Sequence, residues 1–166
     1  MKKLLLLRHG NAASRASNMT DYDRPLDNTG KMQITNIANK LIENRDLPNL
    51  IITSSAVRAF SSTGIIKNII QTSKKEKEPI IKITETGLLY SASVIEYMDI
   101  LKTQKNSSES IMLVAHNPTI SGFISKLTGK HIGMGTGNLC LLVLNIEKWS
   151  DLGFNSPVIS STLLKP

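Results

Sequence analysis

The sequence has a single cysteine, Cys140, among 166 residues, so it cannot build an internal disulfide framework or a Cys-based zinc site. Aromatic residues are scarce at 4%, and no Arg-rich or aromatic-interleaved stretch is present. That argues against nucleic acid as the partner. Long apolar runs are missing as well: none approaches the ~18 residues of a membrane span. Met1-Lys2-Lys3-Leu4 has the charge of a signal peptide, but the apolar stretch stops at Leu7, where an h-region needs roughly 7–15 residues. What remains is a chain with 40% hydrophobic residues, suited to one globular domain over 1–166 and expected in the cytoplasm.

Arginine is the other rarity. The net charge of +7 comes from fifteen Lys and only five Arg, namely Arg8, Arg15, Arg24, Arg45 and Arg58, against thirteen acidic residues. In a chain that prefers Lys, each Arg is a candidate for planar, bidentate recognition of an anion. The densest charge run, Lys74-Lys75-Glu76-Lys77-Glu78-Pro79, mixes signs and ends in proline, and reads as a solvated loop.

Apolar strands and amphipathic helices alternate along the chain. Continuous apolar runs predict buried strands over 4–7, 50–52 and 111–115, with further strands at 80–83, 139–146 and, at an edge, 157–164. A helix is expected from Asp27–Gly30, its stripe formed by Ile34, Ile37, Ala38 and Leu41. Others are expected over 55–71, over 93–102 and from Asn117-Pro118, where proline suits a first helical turn. Strands separated by helices predict a three-layer α/β fold, with a mostly parallel sheet covered on both faces.

Ligands of such sheets bind beyond the carboxyl ends of the strands, so the residues just after each strand matter. Arg8-His9-Gly10 follows the first strand. Ser54-Ser55 follows the second, with Arg58 about a turn into the next helix, and His116-Asn117-Pro118 follows the strand at 111–115. Two of three histidines and two of five arginines share one rim without an acidic residue among them. This describes a pocket for an anion. Helix N-termini near Ser55 and Asn117 would add backbone N–H groups that favour phosphate. A histidine there can carry a phosphoryl group covalently, and a cationic cluster keeps it neutral for attack.

Arg8-His9-Gly10 resembles the signature of the histidine phosphatase superfamily, the phosphoglycerate-mutase-like fold. Arg24-Pro25-Leu26 with Gly30 resembles that family's Arg-Pro-Leu-Thr-x-x-Gly segment, Ser54-x-x-x-Arg58-Ala59 its Ser-Pro-x-x-Arg-Ala motif, and His116-x-Pro118 its late histidine. The short chain and Leu89-Tyr90-x-Ala92-Ser93 are most similar to the small phosphohistidine phosphatases of the SixA type. The resemblance departs at Ser55, where the family has proline, at Asp27, where Ser or Thr is usual, and at Ser61-Ser62, where Gln-Thr is common.

The resemblance implies a phosphoglycerate-mutase-like fold and a hydrolase needing no metal and no cofactor. His9 would be the phosphorylated nucleophile, with Arg8, Arg58 and His116 holding the phosphoryl group and Arg24 completing the pocket. Glu85 lies where larger members place a general acid, and reads equally as a surface carboxylate. Only 57 residues separate Arg58 from His116, which leaves little room for a capping insertion. An open pocket admits a histidine displayed on another protein, so the implied substrate is a phosphoprotein: a histidine phosphotransfer domain or a phosphocarrier. A small-molecule phosphomonoesterase or mutase of the same fold, or a phosphoprotein-binding module without turnover, are the alternatives. Asp21-Tyr22-Asp23 resembles the paired aspartates of metal-dependent phosphatases, but that pair follows a buried strand and this one sits in a polar loop.

Overall fold

The computed structural model describes residues 1–73 and 80–166; the charge run at 74–79, read above as a solvated loop, lies outside them. The elements run β1 (Lys2–Arg8), α1 (Asn28–Glu43), β2 (Leu50–Ser54), α2 (Val57–Ser73), β3 (Lys82–Thr86), α3 (Leu88–Ser91), α4 (Val94–Lys102), β4 (Ser110–Ala115), α5 (Thr119–Thr128), β5 (Leu139–Leu144) and β6 (Val158–Leu164). A six-stranded sheet forms in the order β3-β2-β4-β1-β5-β6.

β1 shows why the fold has three layers. Successive side chains of a strand point to opposite faces. Leu4 and Leu6 enter one core, with Tyr97, Phe123 and Trp149. Leu5 and Leu7 enter the other, with Ile34, Ile37 and Leu41 of α1 and Ile66 and Ile70 of α2. All four leucines are fully buried, as a strand covered on both faces requires.

The sheet is mostly parallel, as expected, with one strand, β5, reversed. β3-β2-β4-β1 is parallel throughout, whereas β5 pairs antiparallel with β1, and β6 with β5. The sheet is therefore mixed. Apolar runs do not encode direction, and Leu139–Leu144 looks the same to the periodicity in either sense. β3 begins two residues later than expected, at Lys82, and α3 lies in a segment too short for a helical stripe to develop.

Local chemistry sets the loop after β1. Asp27 caps α1, its carboxylate accepting from the Gly30 amide at 2.7 Å and from Asn11 Nδ2 at 2.6 Å. A Cβ on Gly10 would lie 2.5 Å from the Gly30 carbonyl oxygen, and one on Gly30 would lie 2.1 Å from the Asn11 carbonyl oxygen. The two glycines let the β1 loop rest directly on the first turn of α1.

Candidate active site

The register of the sheet brings the two strand-end histidines together. Arg8 of β1 lies opposite Ala115 of β4, so His9 and His116 are the next pair along. Their ring centroids are 4.8 Å apart, and both side chains are buried. β2 ends beside them with Ser54, whose hydroxyl is 2.9 Å from His116 Nε2. Arg58, buried in the first turn of α2, reaches across to donate from Nε to His9 Nε2 at 3.1 Å. Arg8, His9, Arg24, Arg58, His116 and Asn117 line one cavity of about 210 Å³. The five residues expected to converge do so.

Hydrogen bonding fixes the state of His9. Its Nδ1 is 2.7 Å from the Gly10 carbonyl oxygen, which can only accept, so Nδ1 carries the proton. Nε2 accepts from Arg58, so its lone pair faces the guanidinium inside the cavity. Burial pushes the His9 pKa down to about 4; the Gly10 bond opposes this, and Arg58, Arg8 and Arg24 add to it. His116 is pushed to about 3, again mainly by burial, then by His9 and Arg58. Desolvation thus outweighs the cationic cluster in keeping both imidazoles neutral. His116 Nδ1 and Arg8 Nε are buried without a partner among the described residues, and both belong to side chains that line the cavity.

Three amides at the start of α2, expected to face the pocket, are turned elsewhere. The Ser55 amide donates to the Thr86 carbonyl, Ala56 N–H to Ser54 Oγ and Val57 N–H to the Tyr22 carbonyl. The amides of Ser55, Ala56 and Val57 are therefore spent inside the protein, and the side chains of Arg8, His9, Arg24, Arg58 and His116 supply the cavity's charged and titratable lining. α5 starts after Pro118, which sits at the cap and not in the first turn.

Nor is the rim free of acid. Asp21 accepts from Arg24 Nη1 and Arg58 Nη2, each at 2.9 Å, and from the Tyr90 hydroxyl at 2.9 Å. Its pairing with Arg24, then Tyr90 and Arg58, holds its carboxyl down at about 2. Arg24 is thus both an ion-pair partner of Asp21 and a wall of the cavity. Nothing in the sequence marked Asp21 as a neighbour of Arg58, 37 residues away. Ser62 was also missed: it accepts from the Gly10 amide at 3.2 Å and donates to the Arg58 carbonyl at 2.7 Å, tying α2 to the β1 loop. The segment around Gly133, Gly135 and Gly137 supplies the Met134 carbonyl, which accepts from Arg8 and Asn117 at 2.9 Å each. Glu85 stands apart, exposed on edge strand β3 opposite Thr53 and outside the cavity lining.

No protein-family model matches the chain. An uncharacterised chloroplastic protein of Arabidopsis thaliana is 25% identical over 152 residues, covering 90% of this chain and 70% of that protein. Solved structures are similar over nearly the whole length. A putative phosphohistidine phosphatase SixA from Agrobacterium tumefaciens has 26% identity and a TM-score of 0.79, with 99% of each chain covered. A putative phosphohistidine phosphatase SixA from Nakamurella multipartitia has 18% identity and a TM-score of 0.80, covering 97% of this chain and 95% of that one. The Agrobacterium neighbour, at 26% identity, supports a phosphatase, and no helix among the described residues is long and apolar enough to cross a membrane. The chain has the fold of the histidine phosphatase superfamily, and its likeness to the short SixA-type members extends over almost all of its residues.

Proposed function

We propose that the chain is a phosphatase that removes the phosphoryl group of a protein phosphohistidine through a covalent intermediate on His9. The observation that carries this reading is the hydrogen-bonded state of His9: Nδ1 protonated on Gly10, Nε2 with its lone pair turned to Arg58 in an arginine-lined cavity. A neutral, oriented imidazole is a ready nucleophile, and an anion receptor has no use for one.

In the first step the His9 Nε2 lone pair forms a bond to phosphorus. The bond from phosphorus to the substrate imidazole breaks, and its electron pair returns to that nitrogen. With its far nitrogen protonated, the substrate imidazole leaves as a neutral ring. Arg8, Arg24 and Arg58 face the oxygens on which charge is spread, and positioning plus such neutralisation is most of what phosphoryl transfer requires. Arg58 Nε passes from His9 Nε2 to a phosphoryl oxygen as the group arrives. In the second step water attacks phosphorus, the bond to His9 breaks, and its electrons return to Nε2. The proton lost by water stays on the released phosphate.

The substrate preference follows from the lack, among the described residues, of a carboxylic acid placed in the cavity to donate a proton. An alkoxide leaves poorly without a proton donor. Glu85 is outside the cavity, and Asp21 is held ionised by its arginines. Both conditions favour a leaving group that departs neutral. The test compares phosphate release from a phosphorylated histidine phosphotransfer domain or phosphocarrier with release from p-nitrophenyl phosphate. Faster turnover of the phosphoprotein is expected. Preference for phosphate esters would transfer the assignment to a small-molecule phosphomonoesterase, and phosphate binding without turnover would leave a binding module.

A further inference from the structure

We propose that Asp21 is the positioning residue of this pocket, its carboxylate setting the orientation of both Arg58 and Arg24 toward His9. The proposal rests on the phosphatase reading and adds to it a residue that neither touches the phosphoryl group nor exchanges a proton with it. The geometry is unusually committed. Oδ1 takes Arg24 Nη1 at 2.9 Å, while Oδ2 takes Arg58 Nη2 and the Tyr90 hydroxyl at 2.9 Å each. The Asp21 main-chain carbonyl accepts from Arg58 Nη1 as well. Arg58 has only 8% of its side chain exposed, and Asp21 is its ion-pair partner among the described residues. A buried guanidinium that loses its countercharge is left uncompensated and loses the contact that holds Nη2 in place.

Counting donors shows what the arrangement does. A guanidinium carries five N–H groups in a rigid fork. Arg58 commits one to His9 Nε2, one to the Asp21 carbonyl and one to its carboxylate, leaving two. Arg24 commits Nε to the Ala13 carbonyl and one Nη1 proton to Asp21, leaving three. Fixing Nη1 and Nη2 of Arg58 on one residue aims its Nε at His9. Charge is trimmed too: three arginines and one carboxylate leave +2 in the pocket, the complement of a phosphoryl dianion. The loop does not depend on the carboxylate alone, because the Tyr22 carbonyl accepts from the Val57 amide and Thr20 bonds Asp23.

The experiment uses Asp21→Asn, an isostere whose single carbonyl oxygen cannot serve both arginines. With the phosphoprotein as substrate, kcat falls about 10- to 100-fold, the range expected for a displaced catalytic group, while KM changes less than about threefold. In the protein without substrate, the Arg58 Nε–H signal, assigned by its loss in Arg58→Ala, is slow to exchange with water in the wild type and broadens in Asp21→Asn. Should Asp21→Asn fail to fold, Tyr90→Phe removes one of the three donors on the carboxylate and lowers kcat in the same direction by a smaller factor. An unchanged kcat together with an unchanged Arg58 signal overturns the proposal, as does a raised KM at constant kcat. An unaltered Tyr90→Phe enzyme overturns it where Asp21→Asn does not fold. If the wild type turns over no phosphorylated substrate yet the Arg58 signal still responds to Asp21→Asn, the positioning role stands and the phosphatase reading fails.

Discussion

His9 and His116 put a measurable mark on stability. Both are buried neutral, with pKa values lowered to about 4 and about 3 from the ordinary 6.5. Below pH 6.5 the unfolded chain takes up protons on these rings that the folded chain refuses, so acid favours unfolding. Their contribution is constant above pH 6.5 and turns against the fold as pH drops toward 4, continuing to 3 for His116. Denaturant midpoints measured at pH 7 and pH 5 should therefore differ, the lower one at pH 5, and the gap should narrow in His116→Asn. An equal gap in the variant would show that burial of this ring does not control the acid limb. At this scale the sequence revealed the strand-end residues, since a rim position is a local property of a strand and its next one or two residues. An ion pair of Arg24 with Asp21 is within reach of sequence spacing, but the Asp21 contact with Arg58 and the role of Ser62 are not, because they span a loop and a helix.

The glycine contact between the β1 loop and α1 makes the element scale testable. Gly30 lies inside the first turn of α1, where alanine would ordinarily gain about 1 kcal/mol in helix propensity. Here its Cβ would stand 2.1 Å from the Asn11 carbonyl oxygen, and backbone cannot swing aside as a side-chain tip can. Overpacking of this kind costs about 1–3 kcal/mol, so the clash outweighs the propensity. Gly30→Ala is expected to lower stability by up to about 2 kcal/mol in denaturant unfolding and to shift His9 by moving the Gly10 carbonyl that holds its Nδ1. A stabilised variant would contradict the close approach. Elements with a full stripe or an unbroken apolar run, such as α1 and β4, were legible from their own residues. β5 was legible as a strand and not as an antiparallel one, because direction is decided by how the chain returns and not by what it contains.

Two cores share one sheet, and β1 belongs to both. Leu6 faces the layer with Tyr97 and Phe123, and Leu5 the layer with Ile34 and Leu41. Truncating either to alanine should cost about 2–5 kcal/mol. Because β1 also carries Arg8 and leads into His9, each truncation is expected to depress activity at temperatures well below its unfolding transition. Activity unaffected up to that transition would show the site to be insulated from the core. The whole molecule thus holds a neutral imidazole at the end of its central strand, ringed by arginines from β1, from the loop after it and from α2. The most direct test is to quench turnover of a phosphorylated substrate in base and map the modified residue by mass spectrometry. An acid-labile, base-stable phosphoryl group on His9, absent in His9→Ala, is the predicted result; a label that persists in His9→Ala would contradict it.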